Sequence, residues 1–465
     1  MRTFRILIKY EWLNFRADKG LLILTALTLF AGLYGIYYGT TEIERQRENI
    51  AALDVLTEHN VEEMKVKFPG DADAGDIGYY HSTFAVNHPD SWASLSMGQR
   101  DVNPYYLKLR LLNLQSQLYD TENINPLKVL SGNFDLAFVL VYLFPLLIIG
   151  LCFNILSAEK EQGTLPLLLS QPVGLPMVVG AKLTFRLLLV LGLALLLSVT
   201  AIVWGQVVPD VRVGMWLAVV LLYCLFWFGV AYLVAALQKN SAFNAVTLLG
   251  VWLLLTIIIP ALLNVYVAVK QPVPQALELT IKQREVVHGG WDKPKRETMN
   301  KFFALYPQWA DTTEIQGRFA WRWYYAFQHL GDVAVEDLAR DYQLSLQARH
   351  QLVAQLNVLS VPVNVQGIFN AMAGSDLPSH LAFLQSATRH HDSLRQYYYP
   401  FLFNQVAFTH ADYEREPRHT FTSTPDFATA LSGLVKLFLS VLLVFAVGFL
   451  LFRVKVAGRS SVAIA

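Results

Sequence analysis

Phe134-Asp-Leu-Ala-Phe-Val-Leu-Val-Tyr-Leu-Phe-Pro-Leu-Leu-Ile-Ile-Gly-Leu-Cys-Phe-Asn-Ile-Leu156 decides the fold class. Asp135 is its one charge, and it stands at the start. A bilayer core of about 30 Å takes roughly 20 such residues as a helix. Lipid offers nothing to unpaired backbone groups, so the run must satisfy its own N–H and C=O groups as a helix does. Five further runs read the same way, at 21–38, 183–207, 213–237, 245–269 and 427–452. Composition agrees: 54% of residues are hydrophobic and 16% charged, against about 25% charged in soluble domains. The expected fold class is an all-α polytopic membrane protein with six transmembrane helices and two mainly helical extracytoplasmic insertions. The lipid bilayer is then an obligatory partner. A net charge of +1 gives no electrostatic reason to expect nucleic acid.

Lysine and arginine in short flanks set orientation. Arg2, Arg5, Lys9, Arg16 and Lys19 precede the first run; Lys160, Lys182 and Arg186 follow the second. Lys239 follows the fourth, and Arg453, Lys455 and Arg459 follow the sixth. With six spans all of these fall on one side, read as the cytoplasm of a bacterium with the chain in its inner membrane. The expected order is a cytoplasmic amphipathic helix (1–20), the first span, a first periplasmic segment (39–133) and the second span (134–156). A cytoplasmic segment (157–182) and spans three to five follow. A second periplasmic domain (270–426), the sixth span and a cytoplasmic tail (453–465) complete the chain. The first run ends without a small-residue cleavage site and reads as a retained anchor. Ahead of it Phe4, Leu7, Ile8, Trp12 and Phe15 share one helix face, as in an interfacial helix.

The two outer segments hold all 11 histidines and fold without disulfides, since Cys152 and Cys224 lie in apolar runs. Polar and apolar spacing predicts helices at 41–56, 105–118 and 335–359, the last ended by Pro362. Turns are expected at His88-Pro89-Asp90, Gly289-Gly290 and Gly374-Ser375-Asp376. Aromatics at 319–327 and 397–403 read as domain core. His390 and His391 diverge by about 100° on a helix and make a poor chelate, so no metal site is expected.

After the second run comes Glu159-Lys-Glu-Gln-Gly-Thr-Leu165, then Pro166-Leu-Leu-Leu-Ser-Gln-Pro172. A bare hairpin between two spans needs only a few residues. Here Gly163 permits a tight bend and Pro166 suits a first helical turn. Glu159 and Glu161 bring negative charge to the start of that turn. Leu165, Leu167, Leu168 and Leu169 offer an apolar surface that lipid does not require, as a docking element would.

This run resembles the Glu-x-Glu-x-Gly-Thr-Leu motif of type-2 ATP-binding-cassette (ABC) transporter permeases, where a coupling helix follows the second span. The resemblance covers the membrane half of the chain. It implies that Glu159, Glu161, Gly163, Thr164, Leu165, Leu168 and Pro172 form an ATPase-facing element. The large outer segments depart from the common pattern and resemble the branch that carries a domain of unknown function, some members of which are described as copper-enzyme-maturation permeases. Trp291-Asp-Lys-Pro294, Tyr306-Pro-Gln-Trp309, Arg318-Phe-Ala-Trp-Arg-Trp-Tyr-Tyr325 and Phe369-Asn-Ala-Met-Ala-Gly-Ser-Asp376 carry that likeness.

The chain has no Gly-x-x-x-x-Gly-Lys-Ser/Thr loop, so ATP and Mg are expected on a separate ABC ATPase subunit. No cofactor and no catalysis are expected in this chain. A second permease subunit, identical or similar, completes the expected complex, whose function is export. The alternatives are a mechanotransmission subunit that moves its outer domains without transport, and a membrane-anchored hydrolase, for which no nucleophile or metal motif is present. Within the spans, Lys436 is a costly charge with Asp135 as a candidate partner. Pro145 and Pro260 fall inside spans, where neighbours must cover the freed carbonyls.

Overall fold

The computed structural model describes residues 2–119, 134–164, 166–167, 170, 174–310, 315 and 317–462. It is mostly helical (78%), with six helices long and apolar enough to cross a membrane. Helix α1 (Arg2–Ala17) lays Phe15 against Phe185, rings 6.1 Å apart, while Trp12 stays half exposed. Asp18 then caps α2 (Lys19–Lys67), accepting from Gly20 N (2.9 Å) and Leu21 N (3.1 Å). The sequence suggested a span ending near Tyr38 and a separate helix at 41–56. The two are one helix of 49 residues, roughly 74 Å long at about 1.5 Å per residue. More than half of it extends beyond a bilayer core of about 30 Å. Nothing between Tyr38 and Thr41 breaks a helix, so polarity changes while the backbone continues.

Helix α3 (Ala74–Tyr80) leads into a two-stranded antiparallel ribbon, β1 (Thr83–Val86) with β2 (Tyr106–Leu109), Thr83 opposite Leu109. This corrects the helix expected over 105–118. Leu107 and Leu109 are buried and alternate with exposed Tyr106 and Lys108, the period of a strand. Helix begins only at α4 (Leu114–Tyr119).

The remaining spans are α5 (Leu136–Glu161), α6 (Leu175–Trp204), α7 (Val211–Ala236), α8 (Ser241–Lys270) and, at the end of the chain, the sixth. Helices α5 and α7 form the centre: 67% and 61% of their apolar windows are buried, against 11–28% for the others. The helices run further than the apolar runs: α5 reaches Glu161 and α6 starts at Leu175, inside the segment 157–182. Pro145 and Pro260 each follow a π-helical turn, Val139–Leu143 and Leu254–Ile258, a common way to absorb a local defect in a helix. One turn before Pro145, the Val141 carbonyl accepts from the Tyr223 hydroxyl at 2.7 Å. This meets the need for cover.

The second insertion comprises α9 (Gln275–Asp292), α10 (Lys295–Leu305), α11 (Trp321–Val333), α12 (Glu336–Leu356), α13 (Val361–Ala373) and α14 (Leu377–Asn404). The sixth span, α15 (Phe427–Val462), follows. Gly289 and Gly290 do not turn. They lie within α9, and Gly290 lets the Phe327 ring approach so closely that a Cβ would sit 2.8 Å from it. Pro362 does not simply end α12; it stands in the first turn of α13, where its missing N–H costs nothing. Gly374, at φ +60°, closes α13, and Asp376 caps α14.

The two insertions share their cores and form one cap. Met64, Ala74, Ile77 and Leu111 of the first pack with Phe302, Tyr325, Tyr399 and Phe403 of the second. Phe302 stacks on Phe403 at 4.5 Å, and most of the 319–327 and 397–403 aromatics are buried, as expected of core. Arg212, at the start of α7, ties the cap to the bundle. Its guanidinium reaches Asp90 (3.1 Å) and donates to Met372 O (3.1 Å).

Candidate partner-facing junction

At the end of the bundle opposite the cap, the residues after the second span build a junction. Glu159 pairs with Lys182 of α6. Lys182 also lies 4.0 Å from Glu11 of α1, and Arg186 lies 3.7 Å from the same carboxylate. All four side chains are at least four-fifths buried. Two acids and two bases balance there, and removing one would strand its partners in a medium where charge is poorly screened. Arg186 also donates to Leu151 O, at the last turns of the second span.

The motif reaches the other spans too. Lys160 Nζ donates to Gln238 O at 3.1 Å, just past the end of α7. The Glu161 carboxylate accepts from Ser241 N (2.7 Å) and Ser241 Oγ (2.9 Å), at the start of α8. Ser157 Oγ also meets Ser241 Oγ at 2.7 Å. Three consecutive residues, 159 to 161, thus touch α6, the α7 exit and the α8 entry.

Beyond them the chain turns outward. Gly163 takes φ +70°, a left-handed conformation open to glycine. Thr164 N donates to Glu159 O at 3.0 Å, closing the turn. A helical turn then starts at Pro166, with Ser170 N donating to Pro166 O at 3.0 Å. Gln162, Gly163, Thr164 and Pro166 are exposed, and Leu167 is 70% exposed. Leu165, Leu168 and Pro172 lie outside the described residues. The expected element therefore divides. The Glu159 and Glu161 carboxylates bond within the chain, Glu161 from an exposed position, and Gln162, Gly163, Thr164, Pro166 and Leu167 are exposed beside it.

Glu11, Gln238 and Ser241 were not legible as members of this site. Their one sequence signal is Glu11, a lone acid in a basic amphipathic helix. Lys182 and Arg186 read as flank charge; their i, i+4 spacing puts both on one helix face.

The structure does not join Lys436 to Asp135. Lys436 Nζ donates to Ala354 O and to Asn357 Oδ1 (3.1 Å), at the end of α12. Asp135 accepts from Phe138 N and Met97 N, both at 2.8 Å. Each Asp135 oxygen thus serves one N–H, at a helix N-cap and at a neighbouring turn, while the lysine finds the carbonyl end of a cap helix, where its charge is favoured.

In the cap, the Asp332 carboxylate holds Arg395 of α14 and accepts from Leu114 N at 2.7 Å. His391 Nε2 meets Arg110 O at 3.0 Å, and the His390 ring faces His419 at 5.4 Å, so the two neighbours diverge as helical geometry requires. Burial pushes the His390 and His419 pKa down to about 4 and that of His329 to about 3, the last helped by Arg395. Among the described residues, no three His, Cys, Asp or Glu are grouped to hold a metal.

Neither the curated proteins nor the solved structures hold a match to this chain. No ABC permease family matches it. Residues 277–422 match the family described as Domain of unknown function (DUF3526). All four sequence pieces that suggested such a domain fall within that span. A helical chain with six candidate membrane spans thus carries the DUF3526 domain in its second insertion.

Proposed function

We propose that this chain is the permease subunit of an ABC exporter, with the turn Gln162–Leu167 as the seat of a partner ATPase. One observation carries the reading: the exposed turn grows from three residues bonded to the third, fourth and fifth spans. A push on it would be delivered to those elements together, as rigid-body switching requires. ATP and Mg would be bound by the partner, and two permease subunits, identical or similar, would form the working complex. The basic end and both termini would face the cytoplasm of a bacterium, and the cap the periplasm.

A second reading, mechanotransmission without transport, draws on helix α2. It starts beside the junction and runs unbroken for 49 residues into the cap. A single rigid helix would pass a tilt at one end to the other without any opening through the bilayer.

The test is affinity isolation of the tagged chain from its native membrane, followed by ATP hydrolysis by the recovered complex in nanodiscs. An ATPase should co-purify, and Leu167→Asp or Thr164→Arg should reduce its recovery or its stimulation at least fivefold while membrane insertion is unchanged. Absence of any ATPase, or full stimulation in both variants, overturns the reading.

A further inference from the structure

Between the two insertions the cap has an open cleft of about 430 Å³, within the range that ligand pockets occupy. Thr280, Gln283, Arg284 and His288 of α9 form one wall, and Asn113 and Ser116, at the entry to α4, supply the other. Positions 280, 284 and 288 are four apart, so one helix face presents all three. No residue of a span lines the cleft, which argues for a ligand taken from water rather than from lipid.

The lining holds two basic side chains and, among the described residues, no Asp or Glu. Thr280, Arg284 and His288 are exposed, and Asn113 is half-buried, so all four reach solvent in the cleft. Among the described residues neither Arg284 nor His288 pairs with a carboxylate or makes a side-chain hydrogen bond. The contrast lies within one helix: Lys282 Nζ is 3.5 Å from Glu285, while the guanidinium two residues on keeps its five N–H donors. The neutral side of the cleft is already oriented. Asn113 Nδ2 donates to Ser116 Oγ at 2.9 Å, which fixes the amide and leaves Oδ1 as an acceptor. Thr280 Oγ1 donates to Ala276 O at 3.1 Å and keeps its lone pairs.

We infer that this cleft binds a small anion that also carries hydroxyls, a sugar phosphate or a sugar acid. A guanidinium fork matches the paired oxygens of a phosphate or carboxylate, and His288, one turn along, adds a ring N–H. The Asn113 and Thr280 oxygens accept from the ligand's hydroxyls. A ligand held this way touches both insertions at once. The site is independent of any ATPase, and the assay contains none.

The experiment titrates glucose 6-phosphate, glucuronate and glucose, each in turn, into the full chain in detergent by calorimetry. At least one of the two anions should bind, and glucose, which has the hydroxyls without the charge, at least tenfold more weakly. Binding of the first anion identifies a phosphate site, and of the second a carboxylate site. Arg284→Gln should lower the affinity at least tenfold. Lys282→Gln removes a cation of the same helix that does not line the cleft, and should change it less than twofold. Thr280→Trp should abolish binding by filling the space. Melting temperatures of the variants show that each is folded; if Thr280→Trp is not, the comparison of Arg284→Gln with Lys282→Gln decides. The inference fails if neither anion binds, if glucose binds equally well, if Lys282→Gln weakens binding as much as Arg284→Gln, or if a folded Thr280→Trp variant binds as the native chain does.

Discussion

Glu161 and Ser241 are 80 residues apart in the chain, yet the Glu161 carboxylate accepts both the Ser241 backbone N–H (2.7 Å) and its hydroxyl (2.9 Å). The acid behind the second span thus serves the first turn of the fifth, where N–H groups lack helical partners. It fixes the entry of α8, the span least buried by the rest of the chain.

Glu161→Ala should therefore loosen the start of α8, and Glu161→Gln, which keeps an acceptor, should do so less. Hydrogen exchange at residues 241–245 reads this directly. Faster exchange in the alanine variant, intermediate in the glutamine variant, is the expected order. Identical exchange in all three forms would show that the contact fixes nothing.

Asp332 and Arg395 join α11 to α14, and the same carboxylate anchors the α4 start through Leu114 N. Asp332→Ala strands a buried guanidinium and should cost roughly 3–5 kcal/mol. Asp332→Ala with Arg395→Leu should recover part of that loss, since no charge is left alone. Thermal melts of the four forms close the cycle. A double variant as unstable as the sum of the singles would show that the pair contributes no coupling.

The cap should weaken in mild acid. Burial, the largest cause in each case, lowers the folded-state pKa of His380, His390 and His419 to about 4, that of His329 to about 3, and that of His391 as well. Above about pH 6.5 both folded and unfolded forms are neutral, and the stability is complete. Below it the unfolded chain takes protons that the folded cap refuses, so stability falls until the folded pKa is reached. Each such group contributes at most about 1.4 kcal/mol per pH unit, less for the partly exposed His419. Melts followed between pH 7.5 and 4.5 should show a steady fall, made shallower by His391→Gln. A flat profile would contradict the neutral, buried assignment.

The sided reading is checked by cysteine labelling in intact cells. Leu56 and Thr280 are exposed on the cap, and Thr164 and Ser170 on the opposite end. Cysteine at the first two should react with an impermeant thiol reagent and at the second two should not. Native Cys152 and Cys224 are buried and should stay silent. Reversed labelling would put the cap in the cytoplasm.

Lys436 should couple to Asn357, not to Asp135. In double-variant cycles, Lys436→Met with Asn357→Ala should be non-additive by about 0.5–3 kcal/mol, whereas Lys436→Met with Asp135→Asn should add within about 0.5 kcal/mol. Coupling to Asp135 would mean that the membrane-embedded chain rearranges this contact.

Hydropathy sufficed to find six long apolar helices because lipid imposes one requirement on every residue of a segment, and twenty residues in a row report it together. The aromatic bands were legible as core for a similar reason, since large apolar rings have few alternatives to burial. The Gly-Thr turn was legible as well, because glycine at 163 and proline at 166 constrain the backbone locally. What failed were features that local pattern cannot encode. Leucines at 107 and 109 fit a helix as readily as a strand until β1 pairs with them, and Gly289-Gly290 reads as a turn until Phe327 needs the space. The same limit governs the junction.

Sequence by itself determined which segments are long and apolar enough to cross a bilayer and where charge gathers. Tertiary structure alone decided what each charge touches. Glu11, Glu159, Lys182 and Arg186 meet only when α1 folds along α6. Glu161 finds Ser241 only when α8 enters beside α5, and Lys436 bypasses Asp135 because the end of α12 is nearer. Burial is a sum over one segment and survives in the linear order; a pairing depends on the relative placement of two segments, and that exists only once the chain has packed.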